Sequence, residues 1–158
     1  MSQIEIIDDY LPQDTFNTLQ EHLLSHKFPW YYKDHIVNNH TNNYQFVHVF
    51  KPPSPYINIL QPLIHKIDPK YIIRCKLNLR PITQQHEQSL YHVDQQDTNH
   101  KIAIYYINTN NGYTIFKHNN QQVQSISNRI VLFNGNIIHA GVSSTNTKRR
   151  VVLNLNYY

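Results

Sequence analysis

The stretch Arg150-Val151-Val152-Leu153-Asn154-Leu155-Asn156 alternates residue by residue between two chemistries. Successive side chains of an extended strand point to opposite faces. Arg150, Val152, Asn154 and Asn156 therefore share one face, and Val151, Leu153 and Leu155 share the other. Such a strand separates an apolar core from a polar lumen. Working back from it, short runs of the same kind occupy 72–80, 101–107, 113–116, 122–126, 130–133 and 137–142, separated by Asn, Gln, Gly and Thr. Many short strands at close spacing predict a sheet sandwich or jelly roll.

The first half of the chain reads differently. Phe16, Leu19, Leu23 and Leu24 recur at three- and four-residue spacing, the apolar stripe of a helix that begins at Pro12 or Asp14 and is stopped by Pro29. Ile59, Leu60, Leu63, Ile64 and Ile67 predict a second helix over 55–67. Between them, Phe28-Pro29-Trp30-Tyr31-Tyr32 is expected to pack the first helix onto a sheet, and 44–50 alternates as a strand closed by Pro52-Pro53. Asn108-Thr109-Asn110-Asn111-Gly112 and Asn134-Gly135-Asn136 read as tight turns using positive φ. The polar stretches 38–43 and 84–88 read as mobile loops. With no repeat or linker, the expectation is a single domain over 1–158, in which 1–70 supplies helical support and flanking strands and 71–158 the β core.

Composition narrows the class. The chain has 158 residues, of which 40% are hydrophobic and 15% charged, values that exclude a disordered acidic tail or a coiled coil. The net charge of +4 favours anionic ligands. Its one dense basic run, Lys148-Arg149-Arg150, lies inside a strand, so there is no clear nucleic-acid signal. Cys75 is the sole cysteine, which rules out an intrachain disulfide and suits a reducing compartment. The first residues carry no basic n-region followed by an apolar h-region, and no stretch approaches membrane-spanning length. The expectation is a protein of the cytoplasm, with no membrane association.

The chemistry is concentrated in His92-Val93-Asp94. In an extended segment His92 and Asp94 point the same way and can reach one ion, with Val93 packing oppositely. A third ligand must arrive from another strand. His139 suits it, flanked by Ile137-Ile138 and by Ala140-Gly141, a small pair that leaves room beside it. Two imidazoles and a carboxylate on one side of an octahedral ion form the facial arrangement of non-haem iron(II) oxygenases. A bidentate acid on such an ion needs its far carboxylate held, and an arginine fork is the preferred partner. Strand alternation selects either Arg150 or Arg149; Arg150 is favoured because its face also carries the amides. One hydroxyl of Tyr105-Tyr106 can join that arginine, and Asn78 can line the same lumen. The remaining histidines fall in helices or polar loops and are read as non-ligands, with His48 half-buried among aromatics.

Over nearly its whole length the chain resembles the iron(II)/2-oxoglutarate-dependent dioxygenases, in particular small prolyl-4-hydroxylase-like members of the kind encoded by tailed phages. The resemblance is carried by Phe28-Pro29-Trp30-Tyr31-Tyr32, Arg74-Cys75-Lys76-Leu77-Asn78-Leu79, Tyr91-His92-Val93-Asp94, the run from Ala103 to Thr114, Asn128-Arg129-Ile130-Val131-Leu132-Phe133, His139-Ala140-Gly141 and the run from Arg149 to Tyr157. It implies a mostly β fold with N-terminal helices, a double-stranded β-helix (cupin-like jelly roll) supported by two helices. It places iron(II) on His92, Asp94 and His139, and the distal carboxylate of the cosubstrate 2-oxoglutarate on Arg150, with Tyr106 hydrogen-bonding there. Where many relatives carry a tyrosine in the strand before the metal motif, this chain offers Asn78. The implied reaction consumes O2, with ascorbate as accessory reductant, and hydroxylates a peptide, protein or small-molecule substrate, a prolyl residue first among them. Two other classes fit a jelly roll: a cupin-like metal-binding protein or isomerase, and a non-catalytic structural module.

Overall fold

The computed structural model describes residues 4–38, 43–51, 54–97 and 99–158. Among these residues ten strands and two α-helices follow one another as β1 (Glu5–Ile7), α1 (Gln13–Leu24), β2 (Tyr31–Lys33), β3 (Gln45–Val49), α2 (Gln61–Ile67), β4 (Ile72–Pro81), β5 (Lys101–Tyr106), β6 (Tyr113–Phe116), β7 (Gln122–Gln124), β8 (Ile130–Asn134), β9 (His139–Val142) and β10 (Arg149–Tyr157). They form a seven-stranded antiparallel sheet, ordered β1-β8-β5-β10-β4-β3-β2, and a three-stranded sheet, ordered β7-β6-β9. Together with the helices this is the mostly β jelly roll expected from the sequence.

Alternation along β10 divides the interior as expected. Val151, Leu153 and Leu155 join Cys75 and Leu77 of β4 and Tyr105 of β5 in one core, which also takes in Phe16, Leu19 and Leu23 of α1 and Leu63 of α2. The opposite face of the large sheet contributes Ile102, Ile104, Tyr106, Val131, Phe133 and Val152 to a second core shared with Phe116 and Val123 of the small sheet. Burying each such large side chain contributes about 1.5–3 kcal/mol, so both faces of the large sheet are committed. The polar lumen opens between the sheets, at the end where β4 and β10 carry charged and amide side chains. Among the described residues no helix is long and apolar enough to cross a membrane.

Local departures from expectation have identifiable causes. The second helix is not continuous: a 3-10 turn over Ile57–Leu60 precedes α2, because Pro62 lacks the N–H that an α-helix would return to Asn58. α1 ends at Leu24, short of Pro29, where Ser25 turns extended. Phe28 is buried and contacts Trp30 and Tyr56. Tyr31 and Tyr32 do not share in that packing; they sit on the edge strand β2, 61% and 64% exposed.

Neither Asn-Gly turn adopts positive φ at its glycine. In the segment between β5 and β6, Asn110 Oδ1 accepts the Gly112 amide at 2.9 Å, and Asn111 is tied to Thr145 and Asn146. The glycines serve close packing. A Cβ on Gly135 would come within 2.4 Å of the His100 ring, which is buried rather than lying in an open polar loop. The 84–88 loop is pinned: the Glu87 amide donates to Ser143 Oγ, His86 Nδ1 meets the Ser143 carbonyl, and Gln88 bridges to Val142. Of the 38–43 loop, residues 39–42 lie outside the described residues, as do Pro52 and Pro53.

Candidate metal centre and its cationic cavity

The segment 88–94 runs beside β9 as an irregular extra edge of the small sheet. The His92 amide donates to the His139 carbonyl at 3.0 Å, and the His139 amide donates to the His92 carbonyl at 3.1 Å. This reciprocal pair places the two imidazoles side by side, ring centres 4.8 Å apart. Asp94 follows on the same side, while Val93 points away and is 37% exposed, not packed into a core. The ligand-type atoms of His92, Asp94 and His139 all lie within 4.8 Å of one another, and they are the only such His/Cys/Asp/Glu group among the described residues.

The donor chemistry suits a metal ion. His92 Nδ1 faces the Leu90 carbonyl at 2.9 Å and His139 Nδ1 faces the Ile137 carbonyl at 3.1 Å. Donating Nδ1–H to those carbonyls leaves both Nε2 lone pairs free. His92 Nε2 lies 3.6 Å from Asp94 Oδ1 and His139 Nε2 lies 4.0 Å from Asp94 Oδ2. Neighbouring ligands bound at ordinary metal–ligand lengths sit roughly 3 Å apart, so small side-chain rotations close the set.

Asp94 itself is held from the large sheet. Asn154 and Asn156 Nδ2 donate to its Oδ2 at 2.9 and 3.1 Å, and Arg74 reaches Oδ1 at 3.1 Å. Burial raises the carboxyl pKa, but the His92 and His139 imidazoles, Arg74 and the Asn154 amide outweigh it and hold it well below the usual carboxylate range. For His139, burial dominates over the raising influence of Asp94 and lowers the pKa, favouring the neutral imidazole that a ligand requires.

At the other end of the cavity lies Arg150, almost wholly buried. Its Nε donates to Ser125 Oγ at 3.0 Å, a terminal nitrogen lies 3.4 Å from Thr114 Oγ1, and its guanidinium stands 5.7 Å over the Tyr106 ring. Arg149 points the opposite way and donates to the Leu24 carbonyl at the end of α1, at 2.7 Å. Asn78 lines the cavity together with His92, Asp94, His139 and Arg150. Tyr106 does not reach the cavity wall. Its hydroxyl donates to Thr114 Oγ1 at 2.8 Å, and Thr114 is the residue that lines the cavity there. Burial raises the Tyr106 pKa, so it stays a phenol and a donor.

Two further cations line the cavity, Lys76 and Arg80, and a third, Arg74, stands beside it against Asp94. On β4, Arg74, Lys76 and Arg80 share the lumen face with Asn78. Arg80 is buried and donates to the Glu87 and Gly141 carbonyls at 3.0 and 3.2 Å, with the Glu87 carboxylate 3.8 Å away. Burial, and secondarily Arg150, bring its pKa down to about 10, so it remains charged at neutral pH.

No protein-family model matches the sequence, and no curated protein matches it. Solved structures do. A prolyl hydroxylase from Trichoplax adhaerens, in complex with a hypoxia inducible factor oxygen degradation domain peptide fragment, superposes with a TM-score of 0.76 at 13% identity, covering 98% of this chain and 83% of that one. A Pseudomonas putida prolyl-4-hydroxylase gives 0.70 at 14% identity, with coverage of 99% and 92%. SnoN, a non-haem alpha-ketoglutarate-dependent epimerase of nogalamycin biosynthesis, gives 0.71 at 9% identity, with coverage of 99% and 78%. The chain thus resembles 2-oxoglutarate/iron(II) oxygenases of the prolyl-4-hydroxylase type in fold, and the similarity spans nearly its entire length.

Proposed function

We propose that this chain is an iron(II)- and 2-oxoglutarate-dependent oxygenase that hydroxylates a C–H bond, in the first instance that of a prolyl residue in a peptide or protein. The observation that carries the reading is the convergence of His92, Asp94 and His139 at one end of a cavity with buried Arg150 at the other. Iron(II) with 2-oxoglutarate and O2 supplies the oxidant, the cosubstrate leaving as succinate and CO2 while the substrate gains one oxygen atom.

The protein's own residues do the positioning. The Leu90 and Ile137 carbonyls fix the imidazole tautomers, and Asn154 and Asn156 fix the Asp94 carboxylate. Arg150 receives the distal carboxylate of 2-oxoglutarate. Thr114 Oγ1 already accepts from Tyr106, so its own proton is available to the same carboxylate, which makes Tyr106 a positioning residue acting through Thr114. Asn78, on the wall between the two ends, contacts the cosubstrate or the substrate.

The test is succinate formation by purified protein given iron(II), ascorbate and 2-oxoglutarate. Slow substrate-uncoupled turnover, abolished in His92→Ala, is expected. A folded protein that binds iron but leaves 2-oxoglutarate unconsumed would favour a cupin-like role, and one binding neither would leave a structural module.

A further inference from the structure

The lumen face of β4 presents Arg74, Lys76, Asn78 and Arg80 in register opposite Asn156, Asn154, Val152 and Arg150 of β10. Two of the three cations have assigned work: Arg74 pairs with Asp94, and Arg80 is tied to carbonyls and lies near Glu87. Lys76 has none. It lines the cavity between Asn154 on β10 and Val49 on β3, and makes no ion pair and no side-chain hydrogen bond among the described residues.

An ammonium withdrawn from water without a counter-charge is costly, by several kcal/mol when fully buried. That cost is visible here: burial, then repulsion from Arg74 and Lys33, outweigh the weaker attraction of Asp94 and bring the Lys76 pKa down to about 8. Beside it, the buried Nε of Arg74 also lacks an acceptor. With Arg74 set against Asp94 and Arg80 near Glu87, Lys76 and Arg150 are the lining cations left without a carboxylate of their own among the described residues. An iron(II) ion and a 2-oxoglutarate dianion cancel one another, so loading the site leaves that positive surplus in place.

We propose that Lys76 anchors an anionic group, a carboxylate or a phosphate, on the substrate that is oxidised. This rests on the oxygenase reading above and narrows its substrate class. The placement fits. Asn154, directly opposite Lys76, holds Asp94, so Lys76 stands at the metal end of the cavity. Arg80, opposite Arg150, lies four residues further along β4, about 13 Å in an extended strand. The two carboxylates of 2-oxoglutarate are accounted for by the metal and Arg150, which leaves the Lys76 charge for the other reactant. In a peptide that group is an acidic side chain or terminal carboxylate near the oxidised residue; in a small molecule it is a carboxylate or phosphate on the substrate itself.

The experiment is anaerobic calorimetry on the iron(II)-loaded protein saturated with 2-oxoglutarate, titrated separately with inorganic phosphate and with acetate. At least one anion is expected to bind at one equivalent, to weaken about tenfold or more in Lys76→Met, and to persist in Lys76→Arg. Lys76→Gln repeats the test should the Met variant not fold. The proposal is overturned if neither anion binds, or if binding is indifferent to Lys76, while 2-oxoglutarate still binds normally. It is equally overturned if Lys76→Met weakens 2-oxoglutarate and spares the anion, since the lysine then serves the cosubstrate. Failure of the iron-loaded wild type to bind 2-oxoglutarate at all is a distinct result, and it removes the oxygenase reading together with this one.

Discussion

A Cβ placed on Gly112 would lie 2.6 Å from Cδ of Arg150 and 2.8 Å from the Val142 carbonyl oxygen. Gly112 is therefore the floor on which the buried arginine rests, since the carbonyl belongs to β9 and cannot retreat. In Gly112→Ala the arginine is expected to shift. Overpacking costs about 1–3 kcal/mol of stability. Calorimetry should find 2-oxoglutarate affinity reduced by about tenfold or more with iron(II) binding retained, and unchanged affinity would place the distal carboxylate elsewhere.

The neighbouring arginines separate cleanly by their contacts. Arg149→Ala removes a charge-assisted bond to the Leu24 carbonyl at the end of α1, costing about 1 kcal/mol in denaturant unfolding and leaving 2-oxoglutarate affinity alone. Arg150→Ala is expected to weaken 2-oxoglutarate roughly a hundredfold or more while sparing iron, because losing one side of a buried charge pair costs about 2–5 kcal/mol.

Asn154, in the large sheet, touches Asp94 from the side opposite the small sheet that carries His139. Asn154→Ala should lower iron(II) affinity by about 10–100-fold, read by competition with a chelator, and Asn154→Asp should lower it further by repulsion. A wild-type affinity in both variants would mean the amide does not orient the carboxylate.

Lys76 also makes a prediction about stability. Its folded pKa, about 8, lies below the 10.5 of an unperturbed lysine. Between those values the unfolded chain binds the extra proton, so this group adds stability as pH rises through the window and subtracts it below. Lys76→Met is accordingly expected to be more stable than wild type at pH 7, by about 1–3 kcal/mol, with the gap closing toward pH 10. Parallel urea titrations at the two pH values measure it. A variant less stable than wild type at pH 7 would mean that Lys76 has a structural partner.

The β10 alternation was legible because a period of two survives whatever the strand packs against, and the small sheet and both cores follow the same pattern. The convergence of His92, Asp94 and His139 was legible for the same reason: His92 and Asp94 share a face, and His139 stands among apolar residues that demand a strand. What stayed open depends on pairing at long range. Alternation on β4 assigns Arg74, Lys76 and Arg80 to the face of Asn78, yet only the central place of β4, between β10 and β3, makes that face a lumen instead of a solvated edge. Asn111-Gly112 has the composition of a positive-φ turn. Its glycine instead answers to an arginine 38 positions later, a demand that no local pattern carries.

The two-way amide exchange between His92 and His139 means that main chain, not a bound ion, sets how far apart the two backbones stand. From backbones so fixed, the same small side-chain rotations would fit divalent ions of similar size about equally well, so the socket itself does little to choose among them. Discrimination then falls to supply in the surroundings and to which ion can complete the chemistry, so cobalt, nickel or zinc should seat readily and silence the protein without unfolding it.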